Sequence, residues 1–152
     1  MAVRVAEVPP SLYERDETAW LEAMADSARE GRVEDLDLVH LAEYLSDMAR
    51  RDRREVETRL IVLMTHLLKW EYQPGQRSRS WRATVVEQRR ELIGLAAQGV
   101  LRRHAEDVMA KVYPDAIEQA SAETGISARI IPAVCPFDLE GLFSVELEAG
   151  DV

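Results

Sequence analysis

A chain of 152 residues with 47% apolar and 31% charged residues is long enough for one domain to bury about 70% of the surface its unfolded chain exposes. Its one cysteine, Cys135, excludes an intramolecular disulfide and a cysteine-based zinc site. The net charge of −9 is unevenly spread. Residues 1–49 carry 4 basic and 12 acidic side chains, residues 50–90 carry 11 and 5, and residues 91–152 carry 4 and 11. A basic middle between two acidic flanks gives segments of opposite sign that can fold against each other.

The opening residues, Met1 to Pro10, are interrupted by Arg4 and Glu7 and lack the unbroken apolar stretch of a signal peptide. The longest apolar run, Leu60 to Met64, is far short of a membrane span. The expectation is a soluble, cytoplasmic protein that is neither secreted nor embedded. Glycine and proline sit at boundaries rather than being scattered, and no repeat appears, so a single domain without a linker is expected.

Ser11-Leu-Tyr-Glu14 has capping-box spacing, and Asp16 competes with Ser11 as the N-cap of a first helix through Trp20, Met24 and Ala28 that stops at Gly31. From Glu34, the residues Leu38, Leu41, Leu45 and Met48 follow the three-four spacing of a core-facing helix. Asp52-Arg-Arg-Glu55 is a further cap signal, so either a new helix begins near Arg51 or one long, kinked helix continues. The next stripe, Val56, Leu60, Leu63, Leu67 and Trp70, runs into the turn signal Gln73-Pro-Gly75. Ser78 or Ser80 can cap a helix carrying Trp81, Val85, Leu92 and Leu95 and ending near Gly99. Another follows through Leu101, Val108, Val112 and Ala116 to Gly125, with Pro114 as a kink. Beyond Gly125, Ile130 to Phe137 is apolar without a helical period and reads as an ordered tail, followed by a short helical turn from Asp138 to Leu142. The fold class is all-α: an antiparallel bundle of four or five helices with an irregular C-terminal tail.

Several of these segments also resemble a known family. Leu12-Tyr-Glu-Arg-Asp16, Trp20, Leu36-Asp-Leu38 and Leu41-Ala-Glu43 are followed by Arg51-Asp-Arg-Arg-Glu55 and Glu57-x-Arg59-Leu60. Then come His66-Leu-Leu-Lys-Trp70, Tyr72-Gln-Pro74, Arg77-Ser-Arg-Ser-Trp81-Arg-Ala-Thr84, Ala122-Glu-Thr-Gly125 and Cys135-Pro136. Together they resemble the bacterial family known as domain of unknown function twenty-nine, over residues 12–142. The resemblance implies a helical fold and a bacterial origin; it brings no activity, substrate or catalytic residue. The chain departs from the family pattern at His40 and Tyr44, where acidic residues are common.

The chemistry-bearing residues thin out quickly. His66, Trp70, Gln73, Arg77 and Trp81 fall in one helical hairpin and, with Asp16, form the candidate binding set: arginine offers a planar fork and tryptophan a stacking face. The alternative is a buried neutral His66, with Arg77 and Trp81 locking the turn. His40-x-x-Glu43 with Asp47 places three metal-ligand types on one helix face, with His104 and Asp107 the only candidate partners; no Glu-x-x-His occurs, and no metal is expected. Cys135, in an apolar tail, reads as inert, and Ser78 and Ser80 as caps. No phosphate loop or nucleotide fingerprint is present, so no cofactor is expected. Arg50, Arg51, Arg53 and Arg54 interleave with Asp52, Glu55 and Glu57, and the remaining basic group, Arg77, Arg79 and Arg82, is small, which argues against nucleic-acid binding. The favoured reading is a non-enzymatic module that binds a protein partner or itself. The alternative is a small enzyme or ligand-binding protein with its site around His66, Trp70, Arg77 and Trp81.

Overall fold

A computed structural model of the chain describes residues 11–151, so the reading of the first ten residues lies outside the described part. The described residues are helical and turn structure without a strand, an all-α helical bundle as the apolar periodicities require. No helix among them is long and apolar enough to cross a membrane. The chain divides into two compact units, Met1–Ala49 and Arg50–Val152.

In the first unit both N-cap candidates are used. Ser11 closes a capping box on α1, Leu12–Arg15, with Glu14 donating its main-chain N–H to the serine and its carboxylate accepting from Ser11. Asp16 ends that single turn and caps α2, Glu17–Arg29, by accepting from the Ala19 N–H at 3.0 Å. Two caps five residues apart split what the spacing alone would make one helix. Gly31, at φ 70°, supplies the left-handed residue that lets the chain leave α2. A 3-10 turn at Val33–Asp35 follows, so the next helix starts at Leu38 and not at Glu34.

That helix, α3, runs unbroken from Leu38 to Tyr72. No new helix begins at Asp52: a cap signal inside a strongly periodic segment loses to continued i→i−4 bonding, since starting afresh would leave orphan amides and carbonyls. In the second unit the stripe from Val56 to Trp70 is buried as expected, with Val56, Leu60, Leu63 and Met64 wholly inaccessible. It packs with α4, Arg79–Ala96, and α5, Gly99–Thr124. The helix before Gly99 ends at Ala96, and Gly99 opens α5 instead. Ala96, Ala105, Ala116 and Ala120 are all fully buried, small side chains that let neighbouring helices approach closely. Pro114 sits inside α5 without ending it, and Gly125 at φ 77° closes it.

The tail is held by bonds to its main chain, because a carbonyl turned away from water needs a partner within the protein. Tyr113 donates its hydroxyl to the Pro132 carbonyl at 2.7 Å. Arg82 donates Nε to the Leu147 carbonyl at 2.7 Å, and Arg89 donates to the Val145 carbonyl. Asp138 caps α6, Leu139–Ser144, through the Gly141 N–H at 2.7 Å, and Leu139 and Leu142 insert into the core. Two arginines of the basic middle are thereby committed to the acidic C-terminal flank.

Candidate functional site

The hairpin between α3 and α4 brings most of the sequence-derived set into one neighbourhood. Pro74–Gln76 form a 3-10 turn, and the Gln73 N–H continues α3 by donating to the Lys69 carbonyl. Arg77 lays its guanidinium over the Trp70 ring at 5.1 Å and donates Nε to the Trp70 carbonyl at 2.8 Å. One of the carbonyls that a helix end leaves unpaired is thus satisfied, and the cation sits where the helix dipole favours it. Ser78, not Ser80, caps α4 through the Trp81 N–H. Trp81 stacks under the Lys69 ammonium at 4.4 Å.

His66 turns inward on its own helix, its Nδ1 at 2.9 Å from the Val62 carbonyl. That geometry assigns the proton to Nδ1. Burial pushes its pKa below the ordinary histidine value, and the Lys69 charge pushes the same way, so the ring is neutral at pH 7. Asp16 belongs to the first unit and spends its carboxylate on capping α2.

Lys69, which sequence reasoning passed over, is central to this hairpin. Its side chain is 6% exposed and its Nζ lies 2.5 Å from Glu123 Oε2 on α5, whose other oxygen accepts from Gln119 at 2.7 Å. A signal existed: a lysine inside the apolar run from Leu67 to Trp70 is almost never fully buried unless paired.

Trp70 is also the one member of the set that lines an apolar cleft of this unit. The cleft, about 490 Å³, lies between the end of α3 and the tail with α6. Its walls are Leu67, Leu68, Trp70, Tyr72, Phe137 and Leu142 with Pro132, Pro136, Val145 and Leu147, and its charged residues are Glu71 and Asp138. A second cleft, about 530 Å³, is lined by Arg82, Val86 and Arg89 with residues 146–150; a shallower one shares Arg82 and Val86 with it on α4, and another lies between α5 and residues 134–139. His66 lines none of these. Cys135, half-buried, points its thiol at the Phe137 carbonyl, and burial raises its pKa, which keeps it a thiol.

The first unit holds a polar centre of its own. Asp37 accepts from Trp20 Nε1 at 3.2 Å, from His40 Nδ1 at 2.6 Å and from the His40 main-chain N–H at 3.3 Å. Tyr13 stacks on His40 at 4.4 Å, and Tyr13 and Tyr44 pack about the Trp20 ring. His40 is therefore held by Asp37 rather than gathered with Glu43 and Asp47, and His104 pairs with Glu57 at 3.1 Å. Among the described residues no group of three or more His, Cys, Asp or Glu could hold a metal ion.

The other face of this part of α3 departs from expectation. Leu38, Leu41, Leu45 and Met48 read as a core stripe, yet Leu38 is 65%, Leu45 63% and Met48 36% exposed, and the adjoining Val39 is 78% exposed. The α1–α2 pair packs on the Trp20, His40 and Tyr44 side of α3, and among the described residues Leu38 and Leu45 stay exposed while Leu41 is half-buried.

Compared with known proteins, the chain matches the family described as Domain of unknown function DUF29 over residues 12–147. No curated protein and no solved structure matches it.

Proposed function

The chain belongs to the family described as Domain of unknown function DUF29, a description that carries no activity, and from its geometry we propose that it is a non-enzymatic interaction module that pairs with a second copy of itself through the leucine face of α3. The observation that carries this reading is the exposure of Leu38 and Leu45 on a regular helix. Leu38 and Leu45 repeat the seven-residue spacing of Val56 and Leu63. The latter two are wholly buried. The same spacing that builds core in one part of the helix lies bare in the other, and exposed contiguous apolar faces mark interaction surfaces.

A second copy carries the same exposed Leu38 and Leu45, and a two-fold pairing buries both faces at once. The ligand-site alternative around His66, Trp70, Gln73, Arg77 and Trp81 has less support, because His66 Nδ1 and Arg77 Nε are bonded to α3 carbonyls and neither residue lines a cleft.

Sedimentation velocity between micromolar and hundreds of micromolar tests the proposal. A dimer is expected that dissociates in the Leu38→Glu, Leu45→Glu double variant, with circular dichroism unchanged. A wild-type chain that stays monomeric throughout that range overturns the reading.

A further inference from the structure

We propose that the cleft between the end of α3 and the tail is a binding site for a small organic cation with an apolar body, such as an aryl-alkyl ammonium. Its volume, about 490 Å³, lies within the range of small-molecule sites, which are mostly apolar with a few placed polar groups. Three aromatic rings, Trp70, Tyr72 and Phe137, line it, and an aromatic face attracts a cation through its quadrupole.

The charged groups on the lining are of one sign. Glu71 and Asp138 line the cleft, and no lysine, arginine or histidine does. Glu71 makes no hydrogen bond or ion pair among the described residues, so its carboxylate is available. Asp138 uses Oδ1 on the Gly141 N–H and keeps its other oxygen. Arg82 and Arg89 bond the carbonyls of Leu147 and Val145, and Arg77 bonds the Trp70 carbonyl and covers one face of its ring, but none of the three lines the cleft. A carboxylate ligand would meet two like charges and no donor fork; an ammonium meets two opposite charges beside aromatic walls, in a partly enclosed space where the effective dielectric is below that of water. The site is independent of the α3 pairing face and does not require a dimer.

The matched probes are 4-phenylbutylamine and 4-phenylbutyrate, which share one apolar body and differ in the sign of the head group. Titrated into the full chain and followed by calorimetry, the amine should bind about tenfold more tightly than the acid, as expected for a cation on aromatic faces beside carboxylates. The preference should shrink in Glu71→Gln and disappear in the Glu71→Gln, Asp138→Asn double variant, where asparagine retains the cap on α6. Equal binding of the two probes, no binding of the amine up to millimolar concentration, or an undiminished preference in Glu71→Gln overturns the proposal. The exposed Glu71 makes that single variant interpretable even where the double variant loses helix content.

Discussion

Lys69 Nζ stands 2.5 Å from Glu123 Oε2, joining α3 to α5 across 54 residues of sequence, with the lysine buried and the glutamate about one-third exposed. Removing one partner of a buried pair leaves an uncompensated charge and costs about 3–5 kcal/mol, whereas replacing the buried ion with an apolar group is much milder. Because Glu123 is partly solvated, Glu123→Ala is expected to lose about 1–3 kcal/mol. Lys69→Met should lose less, since it removes the desolvated ammonium and leaves the carboxylate facing water. Urea denaturation midpoints of the two variants give the order; a larger loss for Lys69→Met would mean that stacking on Trp81 outweighs the ion pair.

The same pair sets a pH dependence. Burial raises the pKa of Glu123, but the Lys69 and Gln119 bonds outweigh it and the net shift is downward. A folded-state pKa below the unfolded one contributes stability that is present above the unfolded value and lost as pH falls through the folded value. Wild type should therefore lose more stability than Glu123→Gln on acidification from pH 5 to pH 3.

His66 acts in a higher window. Its depressed pKa, caused first by burial, means that folding favours the neutral ring. That stability is present above about pH 6.5 and is lost as pH falls from there through the folded pKa. His66→Ala should cost about 1 kcal/mol at pH 8, because the lost ring contacts are partly offset by alanine's helix propensity. The variant should also flatten the stability profile between pH 7 and pH 5, and a profile parallel to wild type would show that His66 is not the titrating group.

In the first unit, Asp37 is held below the usual carboxylate range, chiefly by the His40 side chain, with the His40 main-chain N–H and Trp20 adding to it. Asp37→Ala removes the acceptor for Trp20 Nε1 and for the start of α3 at one stroke. The expected result is a red-shifted, more quenchable Trp20 fluorescence; in wild type the same change should appear only as pH falls below the ordinary aspartate range. Trp70→Phe, Trp81→Phe background variants isolate the signal.

Retention on heparin in 0.15 M salt should be absent. Phosphate binding grows with the number of free cations, and the arginines here are widely engaged. Arg59 bonds Glu55, Arg102 bonds Glu106 and Glu140, and Arg77, Arg82 and Arg89 hold carbonyls; Arg50, Arg51 and Arg53 also have partners. Elution above 0.15 M, reversed by Arg54→Ala and Arg79→Ala, would instead identify a nucleic-acid face.

The sequence by itself determined what is local. The caps at Ser11, Asp16, Ser78 and Asp138 act over three residues, and their side chains close those bonds wherever the helix goes. The stripe from Val56 to Trp70 and the aperiodic tail were legible for the same reason: a period of 3.6 and its absence are properties of consecutive residues. Tertiary structure decided everything that depends on what lies opposite. Leu38 and Val56 carry the same pattern, yet one is 65% exposed and the other is not exposed at all, because periodicity states which side of a helix is apolar but not whether another element covers it. Trp70 was legible as a candidate, but its cleft is completed by Phe137, Asp138 and Leu142 from the far end of the chain. Lys69 finds Glu123 only when α5 folds back along α3, and no spacing along the chain encodes a contact that packing alone creates.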